Sequence, residues 1–159
     1  MNVLLAAASI AQSVVLVVAS PQGGSKTGTG FAIASTSSTT RILTAAHVVE
    51  GAPAPVVYIG GPKGQHYPAT ILEMDPLRDI ALLQIQFGGM PPIAIDRAAP
   101  VSGTPVESMG FPTLVLPPPT DQKATPAPLP LSQLQLTSVD AKLDGEAEEG
   151  ESILLNVSL

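Results

Sequence analysis

The chain of 159 residues contains no cysteine and no tryptophan, and aromatic residues make up only 3% of it. The absence of cysteine excludes disulfide bonds, a thiolate nucleophile and zinc–thiolate sites. With so few aromatic side chains, a hydrophobic core must be built from valine, isoleucine, leucine and alanine. A hydrophobic fraction of 45% is sufficient for such a core. The sequence therefore predicts a folded unit of one domain, or of two small half-domains that share an interface.

Positive charge is also scarce, because 7 lysine and arginine residues face 13 acidic ones, for a net charge of −6. No lysine or arginine cluster is present, so a nucleic acid is not an expected partner. The two histidines, His47 and His66, have no metal-ligand spacing, and no metal or cofactor is expected. Acidic residues gather late in the chain, where we interpret them as a solvated loop. These residues are Asp140, Asp144, Glu146, Glu148, Glu149 and Glu151.

Proline and glycine are abundant, with 17 and 14 residues, and they interrupt the chain too often for long helices. An all-β fold is the natural prediction. In the first half we expect one helical turn at 45–49 and strands at 13–20, 28–34, 41–44, 56–59, 67–73 and 80–86. Such spacing predicts a small antiparallel barrel. In the second half we expect strands at 106–111, 134–139 and 153–159, with a proline-rich exposed loop between residues 117 and 130.

The first twenty residues carry no charged side chain, which is also typical of a signal peptide or a membrane anchor. Three features argue against that interpretation. No lysine or arginine precedes the apolar run, polar residues interrupt it, and residues 14–18 are mostly β-branched. A short helix-like segment followed by a buried strand fits better, and the signal peptide stays as the alternative. We divide the chain into a helix-like segment (1–12), an N-terminal barrel (13–100) and a partial C-terminal barrel with the proline-rich loop (101–159).

His47 is the stronger of the two candidates for a general base. It follows a strand of buried character and opens a helical turn, so it can be held rigidly. His66 lies in a polar turn, where an exposed residue without a catalytic role is the preferred interpretation. Taken alone, a histidine between alanine and valine, such as His47, is more often a residue packed in the core. The motifs around it decide between these interpretations.

Four motifs follow one another in order between residues 27 and 112. They are TGTGF at 27–31, ILTAAHVVEG at 42–51, DPLRDIALL at 75–83 and VESMGFP at 106–112. In this order they resemble the trypsin-like serine peptidases, and within them the HtrA/DegP-type group. The resemblance implies a double β-barrel of the trypsin/chymotrypsin type, with a complete N-terminal barrel, a partial C-terminal barrel and no PDZ module. It also implies an extracytoplasmic location, although no convincing signal peptide is present.

The resemblance assigns a role to each residue of a catalytic triad. His47 matches the general base, Asp79 the acid that orients it, and Ser152 the nucleophile, with the amides of Gly150 and Ser152 as the oxyanion hole. Asp79 opens an apolar strand, where a partly buried carboxylate is expected, whereas the proline after Asp75 indicates a role in a turn. The sequence around Ser152 departs from the family pattern, because the two glycines expected after the serine are absent. A plain loop serine is therefore an equal alternative at this position.

The expected function is that of a serine endopeptidase acting on peptides or unfolded proteins. The alternative is an inactive protein of the same fold, either a pseudoenzyme or a truncated product, that serves as a structural or peptide-binding subunit. The missing glycines favour this alternative, as do the seven residues that follow Ser152, too few to close a second barrel. Three alternatives follow for that barrel: an oligomer or a partner chain completes it, or this half is poorly formed, or the chain is a fragment of a longer protein. Substrate preference is not readable from the sequence.

Overall fold

The structure is a computed structural model and describes residues 10–22, 24–98, 101–112, 114–115, 127–144 and 154–156. Its first half is a closed barrel of six antiparallel strands in the order β1-β2-β3-β6-β5-β4, in which β4 pairs back with β1. The strands are β1 (Val14–Ala19), β2 (Lys26–Ser35), β3 (Thr40–Thr44), β4 (Val56–Ile59), β5 (Gln65–Asp75) and β6 (Ile80–Ile85), with one helical turn, α1 (Ala46–Val49), after β3. The predicted all-β fold with a complete N-terminal barrel is confirmed.

Small aliphatic side chains fill the interior of the barrel, as the scarcity of aromatic residues requires. Alternate residues of each strand point inward, because successive side chains of a strand lie on opposite faces. The strands β1 and β6 contribute Val15, Val17, Ala19, Ala81, Leu83 and Ile85. Burial of these side chains from water is the main stabilising contribution to the barrel.

Strand β1 is buried on both of its faces. Val15 and Val17 point into the barrel, whereas Val14 and Leu16 point outward and pack against Phe111 and Leu134 of the second half. A strand covered on both sides has no need of alternating polar residues. This double burial explains why every residue of β1 is apolar, in a segment whose lack of charge is also typical of a signal peptide. Among the residues described, the structure contains no helix with the length and apolar character needed to cross a membrane.

The described residues of the second half build two small sheets rather than a closed barrel, in agreement with the partial second barrel that we expected. One sheet has the order β11-β10-β7, and in the other β8 pairs with β9. The strands are β7 (Pro105–Gly110), β8 (Leu114–Val115), β9 (Ala127–Pro128), β10 (Thr137–Asp144) and β11 (Leu154–Asn156), with a 3₁₀ turn at Leu131–Gln133. The pair β8–β9 was not predicted, because its second strand lies within the proline-rich segment.

One of the predicted strands is placed differently in the structure. The sequence predicts a strand at 134–139, but β10 begins only at Thr137. Leu134 instead follows the 3₁₀ turn and is buried against the outer face of β1. Its apolar character therefore reflects packing between the two halves and not membership of a sheet.

The second half is joined to the outside of the barrel at β2 as well as at β1. The amide of Phe111 donates a hydrogen bond of 2.8 Å to the hydroxyl oxygen of Thr29 in β2. Gly110 permits this approach, since a Cβ atom there would lie 2.9 Å from the same oxygen. This contact fixes the end of β7 next to the strand that packs under α1. The predicted division at residues 12 and 100 stays a prediction.

Candidate active site

Helix α1 is one turn long, and its buried residues hold His47 at the surface. Ala46, Val48 and Val49 are buried, whereas His47 is exposed. Thr44, the last residue of β3, donates a hydrogen bond of 2.9 Å from its hydroxyl to the carbonyl of Thr29 and so joins β3 to β2. The histidine is therefore anchored by its neighbours on both sides, while its own ring is left accessible to a ligand.

Asp79 holds His47 through both of its carboxylate oxygens. Oδ1 accepts a hydrogen bond of 2.8 Å from the main-chain N–H of His47, and Oδ2 lies 2.7 Å from Nδ1 of the imidazole ring. Because an ionised carboxylate can only accept hydrogen bonds, Nδ1 must carry the proton in the neutral ring. The Nε2 atom is then the ring nitrogen that has a free lone pair. This arrangement can accept a proton at Nε2.

The backbone at Asp79 adopts a left-handed conformation with φ of 55°, and no other non-glycine residue in the described part of the chain has a positive φ. Such a conformation costs most side chains about 1–2 kcal/mol, and aspartate tolerates it better than most. It lies at the end of the turn between β5 and β6 and directs the carboxylate toward α1. Because strain of this kind is concentrated at functional sites, the observation supports a role for Asp79 beyond the turn itself.

Asp75 stabilises the same turn, and its hydrogen-bond partners are Leu77 and Arg78 rather than His47. Its carboxylate accepts hydrogen bonds from the amides of Leu77 and Arg78, at 3.1 and 3.2 Å, and pairs with the Arg78 guanidinium at 2.7 Å. The Arg78 side chain and amide lower the pKa of Asp75 below its usual value of 3.8. Asp75 is therefore part of the turn, as the proline that follows it indicates.

The His47–Asp79 pair is open to solvent in the described residues, with 68% of the His47 side chain and 50% of the Asp79 side chain exposed. The expectation of a partly buried Asp79 was therefore wrong, because the residue belongs to the turn and precedes the first residue of β6. The main-chain amide of His47, and then its imidazole, nevertheless lower the pKa of Asp79 below 3.8 by hydrogen bonding. Asp79 is consequently ionised at neutral pH.

Lys26 is a neighbour of His47 that the sequence did not indicate. Its Nζ atom donates a hydrogen bond of 2.9 Å to the main-chain carbonyl of His47. Lys26 is the first residue of β2 and precedes the TGTGF motif, but no local pattern connects a lysine with a carbonyl 21 residues later. The contact depends on how β2 lies beneath α1.

Gly28 brings β2 into close contact with the helical turn that carries His47. A Cβ atom at this position would lie 2.5 Å from Cγ2 and 3.1 Å from Cγ1 of Val48. Valine is stiff about χ1 and cannot easily turn away. The first glycine of the TGTGF motif therefore has a packing function: it permits α1 to rest directly on β2.

Replacement of Gly28 by alanine is expected to lower the free energy of unfolding by about 1–3 kcal/mol, because it overpacks the contact with Val48. Urea denaturation followed by circular dichroism measures the loss. Gly24→Ala is a matched control, since a Cβ atom there meets nothing within 4 Å. Adding Val48→Ala removes both methyl groups that clash, so the double variant should lose less than the sum of the two single variants. Equal losses in Gly28→Ala and Gly24→Ala would contradict this packing.

The structure brings two of the predicted site residues together and leaves the others undescribed. His47 and Asp79 are in contact, whereas Ser152 and Gly150 lie outside the described residues. His66 is exposed, as expected, but it belongs to β5 and stacks on Tyr58 of β4 with ring centroids 5.2 Å apart. Within the described ranges, no group of three or more histidine, aspartate or glutamate residues is placed to hold a metal ion.

The sequence and the fold of this chain both resemble those of known proteins. A family model described as a trypsin-like peptidase domain matches residues 28–155. The chain is 36% identical over 86 residues to the mitochondrial serine protease HTRA2 of Drosophila pseudoobscura pseudoobscura and 34% identical over 85 residues to the serine protease Rv3671c of Mycobacterium tuberculosis. Each match covers 54% of this chain, and 19% and 20% of these relatives.

Solved structures of two bacterial proteases are similar to this chain in fold. The serine endoprotease from Yersinia pestis has a TM-score of 0.67 and 22% identity, with 91% of this chain and 45% of that chain covered. The active form of the Rv3671c protease has the same TM-score and identity, with 95% of this chain and 59% of that chain covered. The chain thus spans about a fifth of the curated relatives and about half of the solved structures that it matches.

Proposed function

The chain belongs to the trypsin-like peptidase family, and from this premise we propose that it hydrolyses peptide bonds with Ser152 as nucleophile, His47 as general base and Asp79 as the group that orients His47. The two-point contact between Asp79 and His47 is the observation that carries the proposal. It combines a fixed ring orientation, a single tautomer and an ionised acid, which are the conditions under which a histidine can activate a serine. The resemblance to the HtrA/DegP-type group, supported by the HTRA2 relatives, suggests peptides or unfolded proteins as substrates.

The proposed reaction has two halves that use the same residues. Ser152 Oγ attacks the scissile carbonyl carbon while His47 Nε2 takes its proton, and the resulting oxyanion accepts hydrogen bonds from the amides of Gly150 and Ser152. His47 then donates the proton to the amine as the C–N bond breaks, which leaves an acyl-enzyme. In the second half, water attacks the ester carbonyl carbon while His47 takes its proton. The bond between the acyl carbon and Ser152 Oγ then breaks, His47 returns the proton to Oγ, and the carboxylic acid product leaves. Asp79 stays ionised and stabilises the transient imidazolium.

The ionised state of Asp79 supports this division of roles. Two hydrogen bonds from one residue lower the pKa of its carboxyl, so at neutral pH it orients His47 without competing for the proton of Ser152. Because the His47–Asp79 pair is exposed to solvent, a peptide can reach the imidazole. An inactive protein of the same fold would have no need of this two-point contact or of the left-handed backbone at Asp79, which is why we favour an active enzyme.

A fluorophosphonate probe tests the proposal, because it reacts covalently with an activated serine and not with ordinary serines. We expect stoichiometric labelling at Ser152 and its loss in Ser152→Ala and in His47→Ala. Ser132→Ala is the matched control, since Ser132 is an exposed serine of the 3₁₀ turn and labelling should persist in that variant. If folded, monodisperse protein is not labelled, the proposed function is wrong and the inactive alternative is correct. If the label maps to another residue, the assignment of Ser152 as nucleophile is wrong.

A further inference from the structure

We propose that Lys26 determines specificity in the proposed reaction by binding a carboxylate of the peptide substrate on the side of His47 opposite to Asp79. The inference rests on the proposed function, because it concerns the peptide that His47 and Ser152 would cleave. The carboxylate would be that of a glutamate or aspartate side chain near the scissile bond. The contacts and the charge of Lys26 support the assignment, and a depression that begins one residue after its strand partner Ala19 offers space for a peptide.

Two side chains of opposite charge contact the main chain of His47, one at its N–H group and the other at its carbonyl group. Asp79 accepts a hydrogen bond from the N–H of His47, and Lys26 donates one to its carbonyl. In a helical turn the N–H groups point toward the N-terminus and the carbonyl groups toward the C-terminus. The carboxylate of Asp79 and the ammonium of Lys26 are therefore at opposite ends of α1, with His47 between them. A peptide bound over the imidazole meets positive charge on one side and negative charge on the other.

The ammonium of Lys26 retains binding capacity for a ligand. It has three N–H donors and uses one of them for the His47 carbonyl. No ion pair links Lys26 to a carboxylate within the part of the chain that the structure describes, whereas Arg78 is paired with Asp75. The side chain of Lys26 is exposed. Because the protein as a whole carries a charge of −6 and repels acidic peptides, one local cation has a strong influence on where such a peptide can bind.

An open depression lies between the segment after β1 and the segment after α1. Its volume is about 630 Å³, and it is lined by Ser20, Pro21, Gln22, Gly51, Ala52 and Pro53. Ala19, which directly precedes the lining residue Ser20, is paired with Lys26 across strands β1 and β2. The lining side chains are small or uncharged, so they leave room for a peptide without contributing charge selectivity. The exposed Glu50, which follows α1 and precedes Gly51 of the lining, is a negative charge on the same side, so a preference for an acidic residue there depends on Lys26.

Matched pairs of peptides test the assignment. The pairs differ only in glutamate or glutamine at one position near the scissile bond, and kcat/KM is measured for each peptide at low and at high salt. At one or more positions on one side of the bond, we expect the glutamate peptide to be cleaved about two- to five-fold faster, as for an exposed ion pair. The preference should disappear in Lys26→Gln, reverse in Lys26→Glu and shrink in 1 M salt. Lys63→Gln, at an exposed lysine of the β4–β5 turn, should retain it.

The outcomes separate this inference from the proposed function. Each Lys26 variant is also labelled with the fluorophosphonate, which requires an activated serine and no acidic residue in the ligand. If the variants are labelled and cleave peptides but Lys26→Gln keeps the glutamate preference, the role of Lys26 is wrong and the proposed function stands. An unlabelled wild-type chain that cleaves no peptide overturns both.

Discussion

Replacing Asp79 with asparagine is expected to lower kcat for a peptide substrate about 10⁴-fold while leaving the fold intact. Asp79 accepts hydrogen bonds with both oxygens, one from the main-chain N–H of His47 and one from its ring. An asparagine has a single acceptor oxygen, and the main-chain N–H can only donate, so that oxygen must face the main chain. The amide nitrogen then faces Nδ1 and donates to it, which moves the ring proton to Nε2. His47 in this tautomer cannot take a proton from Ser152.

Asp75→Asn is the matched control for this experiment. Asp75 belongs to the same turn and also has a lowered pKa, but its partners are Leu77 and Arg78. An asparagine there can still accept from the main chain of the turn, so its kcat should stay within a few-fold of the wild-type value. Equal losses in Asp75→Asn and Asp79→Asn would contradict the orienting role and indicate that only the turn was damaged.

Titration of Asp79 gives the same experiment a second readout. Because the folded-state pKa lies below the unfolded value of 3.8, the pair contributes stability above that value and loses it as the pH falls through the folded pKa. Asp79 is therefore not expected to titrate between pH 5 and 9. Part of the acid destabilisation of the protein should be absent in Asp79→Asn, as measured by urea unfolding at pH 7 and at pH 3.

The barrel could be predicted because its signals are local, and the His47–Asp79 pair because the motifs around both residues resemble those of the trypsin-like peptidases. Buried strands precede His47 and follow Asp79, and both strands have the apolar character that barrel strands require. The six strands of the barrel were predicted with ends correct to within about two residues. They are separated by turns that contain glycine or proline or, between β2 and β3, only serine and threonine. Each strand can be read from a short stretch of sequence.

The features that the sequence did not predict depend on contacts between distant segments. The approach of Lys26 to His47 is set by the packing of α1 on β2, and the close contact of Gly28 with Val48 has the same origin. No residue pattern predicts the left-handed backbone conformation of Asp79. The strands β8 and β9, of two residues each, pair across a segment rich in proline and have no period that could be recognised.

Leu16 lies in β1, as predicted, and its side chain joins the two halves of the molecule. Replacing it with alanine is expected to lower the free energy of unfolding by about 2–5 kcal/mol, the usual cost of removing a buried leucine side chain. Leu16 is fully buried, and it packs in a cluster with Val14, Phe111 and Leu134, on the face of β1 that points away from the barrel interior. Leu77→Ala is the matched control, because 97% of Leu77 is exposed and its loss should change the stability by no more than about 0.5 kcal/mol.

The variant also tests whether β1 connects the two halves energetically. Leu16→Ala removes a side chain that packs against the second half, while Val15 and Val17 continue to fill the barrel. The barrel should therefore stay folded even if the second half loses part of its structure. Leu134 is in the same cluster, and the double variant with Leu134→Ala should show a coupling energy of about 0.5–3 kcal/mol with Leu16→Ala. A loss no greater than that of Leu77→Ala, or strict additivity with Leu134→Ala, would mean that the outer face of β1 does not hold the second half. A coupled loss would explain why β1 is apolar on both faces, a pattern that in the sequence also left a signal peptide open as the alternative.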